Sequence, residues 1–80
     1  DEVSLTPTEF RLLLELARRP GQVFTRPLLL ERVWEQSYLG DSRLVDVCVQ
    51  RVRAKVEDDP SHPGLIQTVR GVGYKLVPPR

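Results

Sequence analysis

Two arginines and a glutamine share one face of a helical segment, where their side chains can form hydrogen bonds with the edges of DNA bases. In RLVDVCVQRVRAKVE, residues 43–57, a turn of about 100° per residue brings Arg43, Gln50 and Arg51 to the same side. Arginine can pair with guanine and glutamine with adenine. The small apolar residues Val47 and Ala54 lie on that face as well, so this helix can approach a major groove closely. If this helix is considered alone, the alternative to a DNA-binding surface is an ordinary solvent-exposed face with scattered charge.

A second cationic segment follows in TVRGVGYKLV, residues 68–77. Its β-branched, aromatic and aliphatic residues favour two short strands, and Gly71 and Gly73 predict a tight turn between them because glycine accepts positive φ. Arg70 and Lys75 stand beside the turn, and no acidic residue occurs within this hairpin or after it. Their partner is either an acidic group from elsewhere in the chain or DNA, and we predict DNA, with the thin tip in a minor groove about 6 Å wide.

The elements that position these residues can be read from caps and turn residues. Helices are predicted over residues 6–18, 25–35 and 42–57, a short extended segment over 22–24 and a hairpin over 65–77. Two helices joined by a loop and followed by a hairpin are typical of a winged helix-turn-helix. The predicted fold class is α+β, with three helices and a C-terminal β-hairpin wing.

Apolar spacing predicts how the helices pack. In the third helix one stripe is expected to be buried, formed by Val45, Cys48, Val49, Val52 and Val56. In the first helix the apolar residues cover about 200° of arc, which predicts packing on two sides; they are Phe10, Leu12, Leu13, Leu14, Leu16 and Ala17. Asp46 is expected to pair with Gln50 or Arg43 on its own helix.

Bulk composition narrows the function classes. The 80 residues form one domain, with a net charge of only +1, but residues 43–80 hold seven basic and four acidic side chains, a balance of +3. One cysteine and one histidine exclude an internal disulfide and a zinc cluster of ordinary spacing. No nucleophile–base pair or phosphate loop is present, so we predict neither an enzyme nor a cofactor. No apolar run reaches the roughly 20 residues that span a bilayer, which predicts no membrane partner.

Three motifs in order carry a family resemblance: LTPTEFRLLLELARRPGQVFTR at residues 5–26, RLVDVCVQRVRAKVE at 43–57 and TVRGVGYKL at 68–76. With them the chain resembles the DNA-binding effector domain of OmpR/PhoB-type two-component response regulators. The resemblance covers residues 5–77. Cys48 and Gln50 stand where members such as PhoB carry His and Arg.

The resemblance implies a role for each matching residue. The third helix enters the major groove, and its groove-facing positions are Arg43, Leu44, Val47, Gln50 and Arg51. Arg53 takes a phosphate-contacting position, and Lys55 on the flank of the helix is counted with it. In the wing, Arg70 beside Gly71 reaches the minor groove. The other phosphate-contacting positions are Thr68, Tyr74 and Trp34, and Lys75 adds charge there; Trp34 alternatively belongs only to the core.

The resemblance also implies partners. RNA polymerase is expected to contact the loop formed by Glu35, Gln36, Ser37, Tyr38, Leu39, Gly40 and Asp41. Members bind direct repeats in double-stranded promoter DNA as homodimers, in response to phosphorylation of a receiver domain, and act in the cytoplasm. The isolated chain is then expected to be a monomeric fragment without the receiver domain and without most of an N-terminal sheet, of which residues 1–5 supply one strand.

A protein-interaction module without DNA binding remains the alternative function, because Leu44 and Val47 can form an apolar patch. The two functions differ in their dependence on salt. DNA binding with about 4 to 6 phosphates neutralised predicts that log affinity falls with log salt with a slope of about −4 to −5. The interaction module predicts a weak dependence on salt and no affinity for DNA.

Overall fold

A computed structural model of the chain describes residues 4–34 and 42–78. In chain order the elements are α1 (Pro7–Ala17), β1 (Phe24–Thr25), α2 (Arg26–Trp34), α3 (Arg43–Val56), β2 (Ile66–Val69) and β3 (Gly73–Leu76). The predicted winged helix-turn-helix is confirmed, with three helices and a small antiparallel sheet. The predicted N-terminal strand is not observed at Ser4 and Leu5. The rest of that strand and the loop at 35–41 lie outside the described residues.

A capping box begins α1 where the sequence predicted it. Thr6 accepts a hydrogen bond from the Glu9 amide at 3.2 Å, and the Glu9 carboxylate accepts one from the Thr6 amide at 3.0 Å. Leu12 and Leu16 are fully buried. Phe10 and Leu14, however, are 54% and 45% exposed, so only part of the apolar arc of this helix is buried. In the described part of the chain, α2, α3 and β3 cover only the other side of α1.

The core lies where the three helices meet the sheet. From α3 it contains four residues of the predicted stripe, whereas the fifth, Val56, is only partly buried. The core residues are Leu12, Leu16, Phe24, Leu29, Val33, Val45, Cys48, Val49, Val52, Ile66, Tyr74 and Leu76. Because this stripe of α3 is buried in the core, the opposite face of the helix is exposed to solvent.

The sheet has the strand order β1-β3-β2, with both pairs antiparallel. The short segment before α2, predicted only to be extended, therefore joins the hairpin sheet through the pair Phe24–Tyr74. The turn of the wing is closed by a hydrogen bond of 2.9 Å from the Val72 amide to the Val69 carbonyl. Gly71 has φ 77°, the value that the third position of a type II turn requires.

Gly73 serves a purpose that differs from the one predicted. Its φ is not positive; instead it lies directly against the backbone of β1. A Cβ atom at this position would overlap the carbonyl oxygen of Phe24 and would lie 2.9 Å from Cα of Thr25. Glycine is needed at residue 73 because two backbones approach each other closely.

Candidate nucleic-acid interface

One face of α3 is exposed along the length of the helix. Its exposed residues are Arg43, Val47, Gln50, Arg51 and Ala54, and Leu44 beside them is half-buried. Val47 keeps 48% of its surface exposed. The exposed set coincides with the face on which the sequence placed the groove-facing residues. It combines hydrogen-bonding side chains with small apolar ones and thus has the chemistry to meet base edges and thymine methyl groups.

The wing presents a second set of cationic and polar groups. Thr68, Arg70 and Gly71 are exposed, and Lys75 is half-buried. Among residues 4–34 and 42–78, no hydrogen bond or ion pair involves the side chain of Arg51, Arg70 or Lys75. The Thr68 hydroxyl accepts a hydrogen bond of 2.8 Å from Arg53, which leaves its own proton available to donate. These cations are therefore available to an anionic partner.

Arg53 is not on the surface, which corrects its predicted place. It is only 5% exposed, and its guanidinium donates to the carbonyl of Ile66 at 3.1 and 2.8 Å as well as to Thr68. A buried guanidinium needs such acceptors, because burying an unpaired charge is costly. Through its Nε and Nη2 atoms, Arg53 links α3 to β2, so most of its hydrogen-bonding capacity is used within the fold.

Tyr74 is likewise turned inward. It is 4% exposed, and its hydroxyl donates to Oδ1 of Asp46 at 2.6 Å. Burial, followed by the hydrogen bond to Asp46, raises the pKa of Tyr74, so the hydroxyl remains a donor at neutral pH. Asp46 also accepts a bond of 2.6 Å from Nε of Arg26. The partners expected for Asp46 were on its own helix, whereas these two come from α2 and β3.

Lys55 on the flank of α3 is held by α1. Its ammonium donates to the carboxylate of the buried Glu9 at 2.6 Å. The hydrogen bond from Lys55, together with the one from the Thr6 amide, lowers the pKa of Glu9. Glu9 therefore remains ionised and retains Lys55, which reduces the charge that this lysine can offer to phosphate.

Trp34, at the end of α2, is half-buried and packs against the core. It lines a cleft of about 280 Å³ together with Leu44, Val47 and Arg51. A packed ring at the edge of the exposed face is compatible with both roles considered for this residue. The loop from Glu35 to Asp41, predicted to contact polymerase, lies outside the described residues.

Cys48 is buried beneath the exposed face of α3. Burial raises the pKa of its thiol to about 11, so the thiol stays neutral and packs as a small apolar group. In the part of the chain that the structure describes, no group of three or more His, Cys, Asp and Glu residues could hold a metal ion. Within the same residues, no helix is long and apolar enough to cross a membrane.

The acidic residues that follow α3 have structural partners. Glu57 accepts hydrogen bonds from the backbone amides of Gly64, Leu65 and Ile66 at 2.7 to 3.2 Å. Hydrogen bonds from Ser61 and His62 lower the pKa of Asp59. Glu57 thus ties the end of α3 to the base of the hairpin, and its negative charge lies away from the wing tip.

Comparison with protein families and relatives identifies the fold on which this surface is built. The model of the family described as "Transcriptional regulatory protein, C terminal" matches residues 1–76. A curated relative, the transcriptional regulatory protein AfsQ1 of Streptomyces coelicolor, is 70% identical over 80 residues. The alignment covers all of this chain and 36% of the relative.

Two solved structures are similar in fold and in sequence. The response regulator DrrB of Thermotoga maritima, an OmpR/PhoB homologue, superposes with a TM-score of 0.86 and 43% identity, over 94% of this chain and 34% of that one. The RstA DNA-binding domain of Klebsiella pneumoniae in complex with the RstA box gives a TM-score of 0.82 and 39% identity, over 94% of this chain and 74% of that one. The chain therefore belongs to the family of OmpR/PhoB-type C-terminal domains of transcriptional regulatory proteins.

Proposed function

We propose that this chain binds double-stranded DNA in a sequence-specific manner as the output domain of a two-component transcriptional regulator. The observation that carries the proposal is that Arg51 on α3 and Arg70 on the wing are exposed, and that these two and the half-buried Lys75 form no ion pair among the described residues. The solved complex of the similar RstA domain with its DNA box supports the same function here.

The major groove is read by the exposed face of α3. Arg51 is placed to donate two hydrogen bonds to O6 and N7 of a guanine, and Gln50 can pair with an adenine. Val47 offers an apolar contact to a thymine methyl group. Arg43 and Leu44 complete this face toward the N-terminus of the helix. Because the side chains differ in the groups they recognise, the helix can discriminate between sequences.

The wing enters the adjacent minor groove. Gly71 and Gly73 have no side chain, and only Val72 lies between them, so the tip beyond Arg70 is thin enough for a groove about 6 Å wide. A narrow A·T-rich groove concentrates negative potential and attracts an inserted arginine without a base-specific bond. We assign this role to Arg70. Lys75 and the Thr68 hydroxyl contact phosphates beside it, and Trp34 does so through its indole N–H.

Replacement of Arg51 by Ala tests the role of α3. Loss of two hydrogen bonds to guanine should cost about 1 to 3 kcal/mol, or about 5- to 150-fold in affinity, for a duplex selected from a random pool. Preference should relax at one base position only. Arg18→Ala is the matched control, because Arg18 is 64% exposed at the end of α1, outside the proposed interface. Equal losses for the two variants, or equal losses on selected and random duplexes, would contradict the assignment.

Two copies are proposed to act together, since one such helix reads only about five base pairs, too few to specify a genomic site. The chain is expected to be a monomer in solution and to bind as a homodimer to direct repeats in promoters. RNA polymerase is then recruited through residues 35–41, and a receiver domain in the same polypeptide controls the assembly. Such a regulator acts in the cytoplasm.

The arrangement of half-sites provides a test of this assembly. Two tandem half-sites about one helical turn apart should bind the chain more tightly than one half-site. Gel shifts on direct and inverted repeats of the same half-site, with identical spacing, separate the possible symmetries. We expect the direct repeat to be preferred. Tighter binding to the inverted repeat would show that the chain pairs about a two-fold axis and would exclude the head-to-tail arrangement.

A further inference from the structure

A polar network joins the base-reading helix to the wing. At one end, the carboxylate of Asp46 in α3 accepts hydrogen bonds from Arg26 of α2 and from the Tyr74 hydroxyl of β3, both at 2.6 Å. Asp46 directly precedes the exposed Val47 on α3. Three elements thus meet at a single oxygen atom, immediately behind the proposed major-groove face.

The ring of Tyr74 forms the centre of this network. The guanidinium carbon of Arg26 lies 5.1 Å from the ring centroid and that of Arg53 lies 5.5 Å from it, both within range of a cation–π contact. Arg53 in turn binds the carbonyl of Ile66 and the hydroxyl of Thr68 on β2. Thr68 and Tyr74 lie opposite each other in the hairpin. Arg53 binds the first and Asp46 the second, so α3 contacts both strands at the same residue pair.

Among the described residues, the pair Thr68–Tyr74 is the part of the hairpin closest to the wing tip that has polar contacts with α3. The other such link, through Glu57, is at the base of the hairpin near Gly64 and Leu65. The backbone of α3 lies mainly against α1 and α2, whereas that of the hairpin lies against β1 and α1. Besides the shared core and the pairing of β3 with β1, these side chains are therefore the contacts that link the wing to α3.

We propose that Asp46 and Tyr74 are positioning residues that hold the wing at a fixed angle to α3, so that both grooves are engaged by one preformed surface. The inference rests on the proposed DNA-binding function. A wing held in place before binding loses less conformational freedom in the complex, and this raises the affinity gained from Arg70. Tyr74 acts through Asp46 and makes no contact with phosphate.

Tyr74→Phe is the variant that isolates this role. It retains the ring that Arg26 and Arg53 contact and removes only the hydroxyl that binds Asp46. Two duplexes with the same major-groove sequence are compared, one with A·T pairs and the other with G·C pairs beneath the wing. The wild type should prefer the A·T flank, and Arg70→Ala should abolish the preference. Tyr74→Phe should reduce the preference about 3- to 10-fold and leave affinity for the G·C duplex within about twofold.

Other outcomes separate the possible explanations. If Tyr74→Phe weakens both duplexes equally, the hydroxyl contacts phosphate or merely supports the fold, and the inference is overturned. Absence of a flank preference in the wild type would overturn both the role of the wing and this inference, although DNA binding by α3 would stand. Failure of the wild type to bind any duplex would remove the proposed function itself.

Hydrogen exchange in the free chain provides a test without DNA. Loss of the Asp46 link should allow the hairpin to open locally, so amides of β2 and β3 in Tyr74→Phe should exchange about 2- to 10-fold faster, with those of α1 unchanged. This result would support a fixed wing even if the DNA sequence were unknown. Uniform acceleration throughout the chain would indicate general destabilisation and would contradict the positioning role.

Discussion

Raising the salt concentration from about 50 to about 200 mM is expected to weaken binding to a selected DNA site by about 40- to 150-fold. Each phosphate that a protein cation neutralises releases condensed counterions, and salt opposes that release. Arg51, Arg70 and Lys75 have no ion pair in the described part of the chain, and Arg43 is exposed beside them. With about three to four phosphates neutralised, log affinity should fall with log salt with a slope of about −2.7 to −3.6.

This slope is shallower than the one predicted from the sequence, for a structural reason. The range of about −4 to −5 expected from the sequence includes the predicted phosphate contacts of Arg53 and Lys55. Arg53 is buried against Ile66, and Lys55 is bound to Glu9, so neither contributes a full charge to the interface. A measured slope steeper than about −4.5 would indicate that Arg53 and Lys55 leave their partners on binding DNA.

Variants can separate the contributions to the salt slope. Lys75→Ala should flatten it by about one unit, and Arg18→Ala, outside the interface, should leave it unchanged. The measurement is a titration of a labelled duplex at four or more salt concentrations. A slope near zero for the wild type would exclude phosphate contacts as the basis of binding and leave the protein-interaction module, for which the exposed Val47 is the structural argument.

Gly73→Ala should lower the free energy of unfolding by about 3 to 5 kcal/mol, a large part of the roughly 4 to 12 kcal/mol expected for a domain of this size. An added Cβ atom would overlap the Phe24 carbonyl oxygen and lie 2.8 Å from the carbonyl carbon of Phe24 and 2.9 Å from Cα of Thr25. All three are backbone atoms of β1, so no flexible side chain can give way. The sheet must release β1 to accept the substitution.

Two other glycines serve as graded controls for the measurement, which is urea unfolding followed by circular dichroism. Gly64 has open space around its Cβ position and no positive φ, so Gly64→Ala should change stability by less than about 0.5 kcal/mol. Gly71 also has open space but φ 77°, so Gly71→Ala should cost about 1 to 2 kcal/mol. If Gly73→Ala unfolds at the same urea concentration as Gly64→Ala, the close approach of β1 to β3 is not present in solution.

Local signals in the sequence were sufficient to predict the elements and the exposed face of α3. The capping box of Thr6 and Glu9 depends on residues three positions apart, and the turn at Gly71 on a single φ angle. The buried stripe of α3 follows from helical spacing alone, which also determines that Arg51 lies on the opposite side. Such features are decided within one or two turns of chain, and short-range sequence patterns report them directly.

The partners of the charged side chains were decided only by the tertiary structure. Asp46 binds Tyr74, which is 28 positions away, and Lys55 binds Glu9 over 46 positions. A helical wheel gives the direction of a side chain from the helix axis, but not which acceptors the rest of the fold brings to that direction. Arg53 shows the consequence, because it became buried when the hairpin placed the Ile66 carbonyl within reach. A long flexible side chain satisfies its donors with whatever groups folding brings near, and those groups belong to distant parts of the chain.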